Sequence, residues 1–347
     1  LNLHNAMWPG IVGKGHGAEE EAISLRRMIE LTGNTNVNGQ TFDGIDLILA
    51  APHLNIHATQ DEIEKFADTV LSHHLKIGSV VAPVWPSAGG GSAMGSVDER
   101  KKFIDAVRDA CEYCKILNRH GVRSYGIIRI DSADSPASWA KDKEGNTKLI
   151  ADTFREAATI AAGYGEKLAA EGEICWAGMH SWKDMVNLLE AVGMLDHLGF
   201  QADLAHTYLY LLGYNAPEYA FLTSNYSEEE FWQAYQKMAE LLAPWTLDFH
   251  IAQSNGTVFG SGLHDITGRQ VPVNAPDGKL DIVQCCRYWL LNKEGYLRNG
   301  IQHISWDGCM FPNSMLESSD TWTAVLKKMI EAREDLLPPV TLNGTQP

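Results

Sequence analysis

Four histidine and aspartate residues recur where apolar, strand-like runs of the sequence end. His180 ends "EICWAGMH", Asp203 ends "LGFQAD", His250 lies near the end of "TLDFHIAQ", and Asp307 ends "IQHISWD". Imidazole and carboxylate groups are the ligands preferred by borderline divalent cations such as Mn²⁺, Zn²⁺, Co²⁺ and Fe²⁺. Each residue alone has an ordinary explanation, since a strand-end Asp can cap a helix and a His can lie in a core. Their repeated placement instead predicts one divalent metal site.

A second set of polar and aromatic residues lies at or just beyond other predicted strand ends. His206 follows Asp203 in "DLAH" and is expected to bond a substrate oxygen or to act as an acid. Contacts that orient hydroxyl groups or stack on a sugar ring are predicted for His4, Trp8, His53, Trp85 and Arg129. The long, glycine-rich connection at 254–279 has the composition of a substrate-covering loop, and His264 on it is a further candidate.

The elements that must position these residues alternate between strand-like and helix-like runs. Eight strands are predicted, at 1–8, 45–50, 76–85, 124–131, 173–180, 198–203, 246–253 and 301–307. Eight helices are predicted, at 18–33, 60–74, 97–119, 148–171, 182–193, 227–242, 279–292 and 317–334. This alternation predicts a single (β/α)8 TIM barrel over residues 1–347, in which the carboxyl ends of the strands carry the active site.

Composition narrows the class of partner. The formal net charge of −16, from 44 acidic and 28 basic residues, argues against nucleic acid, because phosphates are bound by Lys and Arg. No apolar run approaches the roughly 18–20 residues that span a bilayer, so no membrane partner is expected. The six cysteines form no dense framework, which favours reduced thiols and a cytoplasmic location. Cys111 and Cys114 form a CxxC within a helical pattern and are interpreted as buried structural residues.

The residues at these strand ends resemble those of the xylose isomerase-like barrel superfamily, which includes tagatose/psicose-type sugar epimerases, inosose dehydratase and endonuclease IV. In the epimerases, the resemblance implies a metal site built from a Glu after the fifth strand, an Asp in a D-x-x-H sequence after the sixth, a His on the seventh and a Glu at the end of the eighth. Here "DLAH" offers Asp203 and His206, "DFHIAQ" offers His250, and "SWDGCMF" offers Asp307 in place of the last Glu. The resemblance covers the whole chain through its strand order, and its specific motifs lie in the second half.

The predicted fifth strand departs from that pattern. "EICWAGMHSW" has no acid between Ile174 and Ser181, and Glu173 begins the predicted strand, about 20 Å from its end. His180 is therefore predicted as the fourth ligand. With a His in place of a carboxylate, the two-carboxylate proton exchange of the epimerases is not expected in its symmetrical form.

The resemblance implies a metal-dependent sugar or keto-sugar isomerase or epimerase that removes a proton beside a carbonyl while the metal stabilises the enediolate. Asp203 or Asp307 would be the base, and Mn²⁺ is the first expectation for the metal, with Zn²⁺, Co²⁺, Mg²⁺ or Fe²⁺ as alternatives. A lyase or dehydratase acting on a keto-sugar or a 3-keto-glycoside is the main alternative function. A metal-dependent nuclease and a non-catalytic sugar-binding barrel are further alternatives. The expected partner is a small carbohydrate, and a homo-oligomer is compatible with this family.

Overall fold

A computed structural model describes residues 1–259, 267–298 and 300–336. Within these residues, eight parallel strands pair in chain order, and the first strand pairs with the last to close a barrel. The strands are β1 (Asn2–Ala6), β2 (Gly44–Ile48), β3 (Lys76–Val81), β4 (Ile127–Ile130), β5 (Lys167–Glu171), β6 (Leu198–Asp203), β7 (Thr246–Ile251) and β8 (His303–Trp306). The predicted (β/α)8 barrel is confirmed.

Helices follow the strands around the outside of the barrel. They are α1 (Leu25–Gly33), α2 (Gln60–Ser72), α3 (Val97–His120), α4 (Pro136–Trp139), α5 (Lys143–Gly163), α6 (Trp182–Val192), α7 (Leu204–Leu212), α8 (Glu228–Leu242), α9 (Ile282–Leu290), α10 (Asn313–Leu316) and α11 (Ser319–Asp335). Short 3-10 turns occur at Trp8–Gly10, Pro86–Ala88, Pro217–Tyr219 and Ala243–Trp245. Among the described residues, no helix is long and apolar enough to span a bilayer.

Side-chain capping fixes where many of these helices begin. Ser96, at the start of α3, accepts a hydrogen bond from the backbone N–H of Glu99, whose carboxylate accepts from the N–H of Ser96. Such reciprocal bonds satisfy two of the N–H groups that a helix start leaves unpaired. Cys111 and Cys114 are buried as free thiols within α3, as their helical pattern predicts.

The predictions for the fifth strand and for the helix before it are wrong. The fifth strand is Lys167–Glu171 rather than 173–180, and the helix predicted over 148–171 ends at Gly163. The segment predicted as a strand forms the loop from β5 to α6. An additional helix, α7, directly follows β6. These differences between prediction and structure alter which polar residues lie at the mouth of the barrel.

The interior of the barrel contains a layer of hydrogen-bonded polar residues, here called the polar layer and formed by His4, Asp46, Asp248 and His303. Nδ1 of His4 lies 2.9 Å from Oδ1 of Asp46, and Nε2 of His303 lies 2.9 Å from Oδ2 of Asp46. Burial lowers the pKa of His303, but the charges of Asp46 and Asp248 outweigh this effect and raise that pKa above its usual value. Gly78 makes room for the layer, because a Cβ there would lie 2.5 Å from Nδ1 of His4.

A second buried ion pair lies near the amino ends of the strands. Arg123 donates to both carboxylate oxygens of Glu166, at 2.6 and 2.8 Å, and also to the carbonyls of Gly78 and Ile127. Both side chains are almost completely buried. The bidentate pair with its extra hydrogen bonds compensates the cost of burying two charges.

A β-hairpin extends from the seventh strand toward the mouth of the barrel. It pairs Gln253–Phe259 with Thr267–Val271 in antiparallel register and is here called the β7 hairpin. Gly268 permits close packing on α7, since a Cβ there would lie 3.0 Å from the carbonyl oxygen of Ala205. Another short hairpin pairs Asn36–Val37 with Gln40–Thr41.

Candidate metal centre

Four side chains converge at the carboxyl ends of the last four strands. Glu171 is the last residue of β5, Asp203 is the last residue of β6, His250 lies in β7, and Asp307 directly follows β8. One donor atom from each lies within 4.8 Å of the donor atoms of the other three, and all four residues are buried. This group is here called the quartet. Parallel strands bring their carboxyl ends to one rim of a barrel, which explains how residues so far apart in sequence meet.

His250 lies between two carboxylates of the quartet. Its Nδ1 is 3.8 Å from Oε1 of Glu171 and 3.8 Å from Oδ2 of Asp307. Its Nε2 faces Asp248 of the polar layer at 4.0 Å. Neither ring nitrogen has a hydrogen-bond partner among the described residues. Nδ1 is therefore available to a ligand, and the carboxylate of Asp248 lies near the other ring nitrogen.

Asp203 combines a structural role with a free donor atom. Its Oδ1 accepts hydrogen bonds from the backbone N–H groups of Ala205 and His206, at 2.7 and 3.1 Å, and so caps α7. Its Oδ2 is buried and lacks a hydrogen-bond partner within the described part of the chain. A buried, unpaired carboxylate oxygen costs free energy unless a cation or a donor meets it.

The electrostatics of the quartet also favour a bound cation. Burial and the nearby charge of Asp307 raise the pKa of Asp203 well above its usual value. Burial raises the pKa of Asp307 to about 6, despite the hydrogen bond from Trp8 and the charge of Arg129. Burial also lowers the pKa of His250 well below its usual value, which keeps the imidazole neutral. Three buried carboxylates and a neutral imidazole fit a divalent ion, because the ion would offset the repulsion and use the unpaired donor atoms.

Beside the quartet, charged side chains form one wall of a small cavity. Arg129 donates to Oε1 of Glu173 at 2.8 Å and forms an ion pair with Glu171. Nε2 of His206 lies 3.6 Å from Oε1 of Glu171 and 3.7 Å from Oε2 of Glu173. Burial lowers the pKa of His206 to about 4, so this imidazole is neutral near pH 7.

Aromatic side chains also line this cavity. Trp8 donates from Nε1 to Oδ2 of Asp307 at 3.0 Å, and its ring lies 5.2 Å from that of His250. Trp85 donates from Nε1 to Oδ2 of Asp131 at 2.8 Å. Burial raises the pKa of Asp131 to about 7. The cavity has a volume of about 20 Å³ and is lined by Trp8, Val12, Ile48, Trp85, Arg129, Glu173, His206, Gln270, Asp307 and Cys309.

Gln270, on the β7 hairpin, covers this cavity with an unpaired amide. The side chain is buried, and neither Nε2 nor Oε1 has a hydrogen-bond partner among the described residues. Gln253 on the other strand of the hairpin differs, because its amide bonds the backbone of Leu280 from both ends, each at 2.9 Å. An unpaired buried amide that lines a cavity is suited to a ligand with hydroxyl groups.

The structure does not bring His180 to the quartet, which corrects the prediction that it is the fourth ligand. His180 lies in the loop after β5, where its Nε2 is 3.4 Å from Oδ2 of Asp184 and its ring packs edge-on against Trp139. It lines a separate groove of about 660 Å³ beside α5 and α6. The physical reason is the position of the fifth strand, which ends nine residues earlier in the chain than predicted, at Glu171 rather than His180.

Of the six predicted substrate contacts, three line the cavity and two do not. Trp8, Trp85 and Arg129 lie in its walls. His4 belongs to the polar layer inside the barrel, and Nε2 of His53 donates to the carbonyl of Ile23, so neither lines the cavity. His264 lies outside the described residues. His206, predicted for a substrate or acid role, lies in the wall beside Arg129.

Sequence reasoning missed Glu171, Glu173 and Gln270. Glu173 lies two residues beyond the end of β5 and lines the cavity, so its predicted position far from the active face is wrong. A signal was present: Gly163 and Gly165 in "AAGYGEKLAAE" mark a helix end before a short apolar run that finishes in Glu171. No sequence pattern marked Gln270, which lies on a hairpin of mixed polarity.

Comparisons with known proteins agree with this architecture. Residues 39–287 match the family model described as "Xylose isomerase-like TIM barrel". A D-tagatose 3-epimerase-like protein superposes with a TM-score of 0.60 at 14% identity, covering 97% of this chain and 100% of its own. The IOLI protein with a binding zinc atom gives 0.60 at 13% identity, covering 97% and 99%. The probable 3-DHS dehydratase AsbF from Bacillus anthracis, involved in petrobactin synthesis, gives 0.57 at 15% identity, covering 95% and 99%.

No curated protein matches the sequence significantly. At these low identities, the structural similarities establish the fold. The family model covers well over half of the chain, and its fold is the barrel described above. The chain therefore belongs to the xylose isomerase-like TIM barrel family.

Proposed function

We propose that the protein is a divalent-metal-dependent enzyme that moves a proton beside the carbonyl group of a sugar or keto-sugar, as an isomerase or epimerase does. The observation that carries the proposal is the quartet, in which one imidazole and three carboxylates place donor atoms within 4.8 Å of one another. Relatives by fold include a D-psicose 3-epimerase crystallised in the presence of D-fructose and a protein with a binding zinc atom. Mn²⁺ is the proposed cation, with Zn²⁺, Co²⁺, Mg²⁺ or Fe²⁺ as alternatives, and the cytoplasm is the proposed location.

Glu171, Asp203, His250 and Asp307 would hold the cation. When bound, such an ion would supply Lewis-acid polarisation of the substrate carbonyl. The residues of the quartet are held in place independently of it: helix capping fixes Asp203, and Trp8 fixes Asp307 through its indole N–H. This preorganisation limits the reorganisation that the reaction would otherwise require.

We assign the removal and return of the substrate proton to two carboxylates, Glu171 and Asp307. Glu171 and Asp307 each place a carboxylate oxygen 3.8 Å from Nδ1 of His250. With Glu171 at the end of the fifth strand, the chain has the two carboxylates that proton removal and return require, even though His180 is elsewhere. Arg129 forms an ion pair with Glu171 and would hold this carboxylate in place beside the substrate.

The remaining polar groups of the cavity would bind hydroxyl oxygens. The neutral imidazole of His206 can donate to or accept from a substrate oxygen, and the unpaired amide of Gln270 can do both. Among the described residues that line the cavity there is no Lys, and Arg129 is already paired with Glu171 and Glu173. This lining favours an uncharged polyol over a phosphorylated sugar.

Solvent proton exchange tests the proposal. The Mn²⁺-loaded protein is incubated in D₂O with D-fructose, D-tagatose, D-psicose and 3-keto-glucosides, and deuterium next to the carbonyl is followed by NMR. We expect incorporation that is lost in Glu171→Gln and retained in His180→Ala. Absence of exchange with every keto-sugar at full metal content would contradict the proposed function. Recovery of an isomer supports an isomerase or epimerase, whereas loss of water or of an aglycone supports the alternative lyase.

A further inference from the structure

The cavity beside the quartet is too small to enclose a sugar. Its volume of about 20 Å³ is sufficient for about one water molecule. A ligand that reaches the quartet must therefore extend beyond this cavity. Among the described residues, a larger groove shares lining side chains with this cavity.

That space is a groove of about 560 Å³, here called the entry groove, whose lining includes Val12, Ile48 and Trp85. The same three side chains line the small cavity, so the entry groove lies directly beside it. The groove volume lies within the usual range of small-molecule sites, about 300–1,000 Å³. A ligand with one end at the quartet would place its other end here.

The lining of the entry groove is mainly apolar. Aliphatic side chains, including Ile11, Leu54 and Ile56, form much of its surface. Among its described lining residues there is no Lys, Arg, Asp or Glu, and its polar side chains are Asn55, His57 and Ser87. These three are exposed, so they lie where a ligand would meet solvent. A phosphate or carboxylate would find no cationic partner in the groove, whereas an apolar group would be desolvated favourably.

Trp85 separates the polar and apolar spaces. Its hydrogen bond to Asp131 fixes the indole, which is almost completely buried and lines both spaces. A rigid aromatic side chain at such a position can pack against a sugar ring on one side and its substituent on the other.

We infer that the substrate is a sugar derivative with an uncharged, largely apolar substituent, such as an aryl or alkyl glycoside, whose substituent lies in the entry groove. The inference rests on the proposed function for the position of the sugar, and it narrows the substrate class from free sugars to substituted ones.

Binding by isothermal titration calorimetry tests the inference. The probes are the 3-keto derivatives of methyl β-D-glucopyranoside and phenyl β-D-glucopyranoside, each titrated into Mn²⁺-loaded protein. Burying a phenyl group instead of a methyl group should improve affinity by about tenfold or more. The variants Leu54→Ser and Ile56→Ser should reduce this preference to less than about threefold. Both positions are partly exposed, so neither substitution should prevent folding.

Leu241→Ser is the matched control, since Leu241 lies on α8, is 37% exposed and does not line the entry groove. It should leave the preference for the phenyl glycoside unchanged. Equal affinity for the two glycosides, or a preference that survives both groove substitutions, would overturn the inference. Binding of neither glycoside would also overturn it, and the deuterium-exchange experiment separately shows whether the proposed function fails.

Discussion

Replacement of Gln270 by Leu should stabilise the protein while weakening substrate binding. The amide of Gln270 is buried, and both its Nε2 and its Oε1 lack hydrogen-bond partners among the described residues. Each buried polar group left unpaired costs about 1–3 kcal/mol. Leu has a similar volume and no polar atom, so Gln270→Leu should raise the free energy of unfolding of the metal-free protein by about 1–3 kcal/mol.

The same change should reduce affinity for the substrate. If the amide of Gln270 pairs with substrate hydroxyl groups, losing two neutral hydrogen bonds should weaken binding by about tenfold. The opposite signs of the two effects distinguish a binding residue from a structural one. Residues that preorganise a site commonly carry such a cost in stability.

Gln253 provides a matched control on the same hairpin. Its amide bonds both the N–H and the carbonyl of Leu280, and it also accepts from the N–H of Ser254 at 3.0 Å. Gln253→Leu leaves buried backbone groups unpaired and should therefore lower the free energy of unfolding by about 2 kcal/mol or more.

Urea unfolding in the presence of a chelator measures both stabilities, and calorimetric titration of the Mn²⁺-loaded proteins measures affinity for a glycoside. A loss of stability in Gln270→Leu comparable to that in Gln253→Leu would refute the reasoning, because the amide of Gln270 would then be paired within the folded protein.

Three further predictions concern the quartet and the two buried ionic groups. Glu171→Gln should weaken Mn²⁺ binding at least tenfold in a competitive chelator titration, whereas His180→Ala should leave it unchanged. Arg123→Met should lower the free energy of unfolding by about 3–5 kcal/mol, because it leaves a buried carboxylate unpaired, whereas Lys148→Ala in an exposed pair should change it by less than about 1 kcal/mol. The raised pKa of His303 contributes stability that is fully present below pH 6.5 and is lost as the pH rises through the raised pKa. The free energy of unfolding should therefore fall more above neutral pH in the wild type than in His303→Gln.

Each of these has a contradicting result. If Mn²⁺ binding were lost in His180→Ala and not in Glu171→Gln, His180 rather than Glu171 would be the metal ligand. Equal stability losses for the Arg123 and Lys148 variants would show that burial does not govern the strength of these pairs. Parallel pH profiles of the wild type and the His303 variant, measured by urea unfolding, would contradict the raised pKa of His303.

The barrel was predictable because the apolar strands and amphipathic helices alternate along most of the sequence. The fifth strand was not, because "KLAAE" consists of residues that favour helices and begins only a few residues after α5 ends. Its strand conformation is imposed by pairing with β4 and β6 on either side. Tertiary pairing therefore overrode the local propensity.

Helix α7 was missed for a different reason. Of its nine residues, "LAHTYLYLL", all but the last are buried, so no polar face produces a helical period. Its burial follows from the β7 hairpin, which packs over it and also carries Gln270. Strand ends revealed Asp203, His250 and Asp307 because their positions depend on strand register. The position of Gln270 depends on how a hairpin folds back over the barrel, which local sequence does not encode.

The most direct test of the account is a crystal structure of the protein soaked in Mn²⁺, with anomalous diffraction used to locate the ion. The account predicts one strong peak within about 2.0–2.4 Å of donor atoms from Glu171, Asp203, His250 and Asp307. A fully occupied Mn²⁺ ion beside His180 and Asp184, or no ion at the quartet under saturating Mn²⁺, would contradict it.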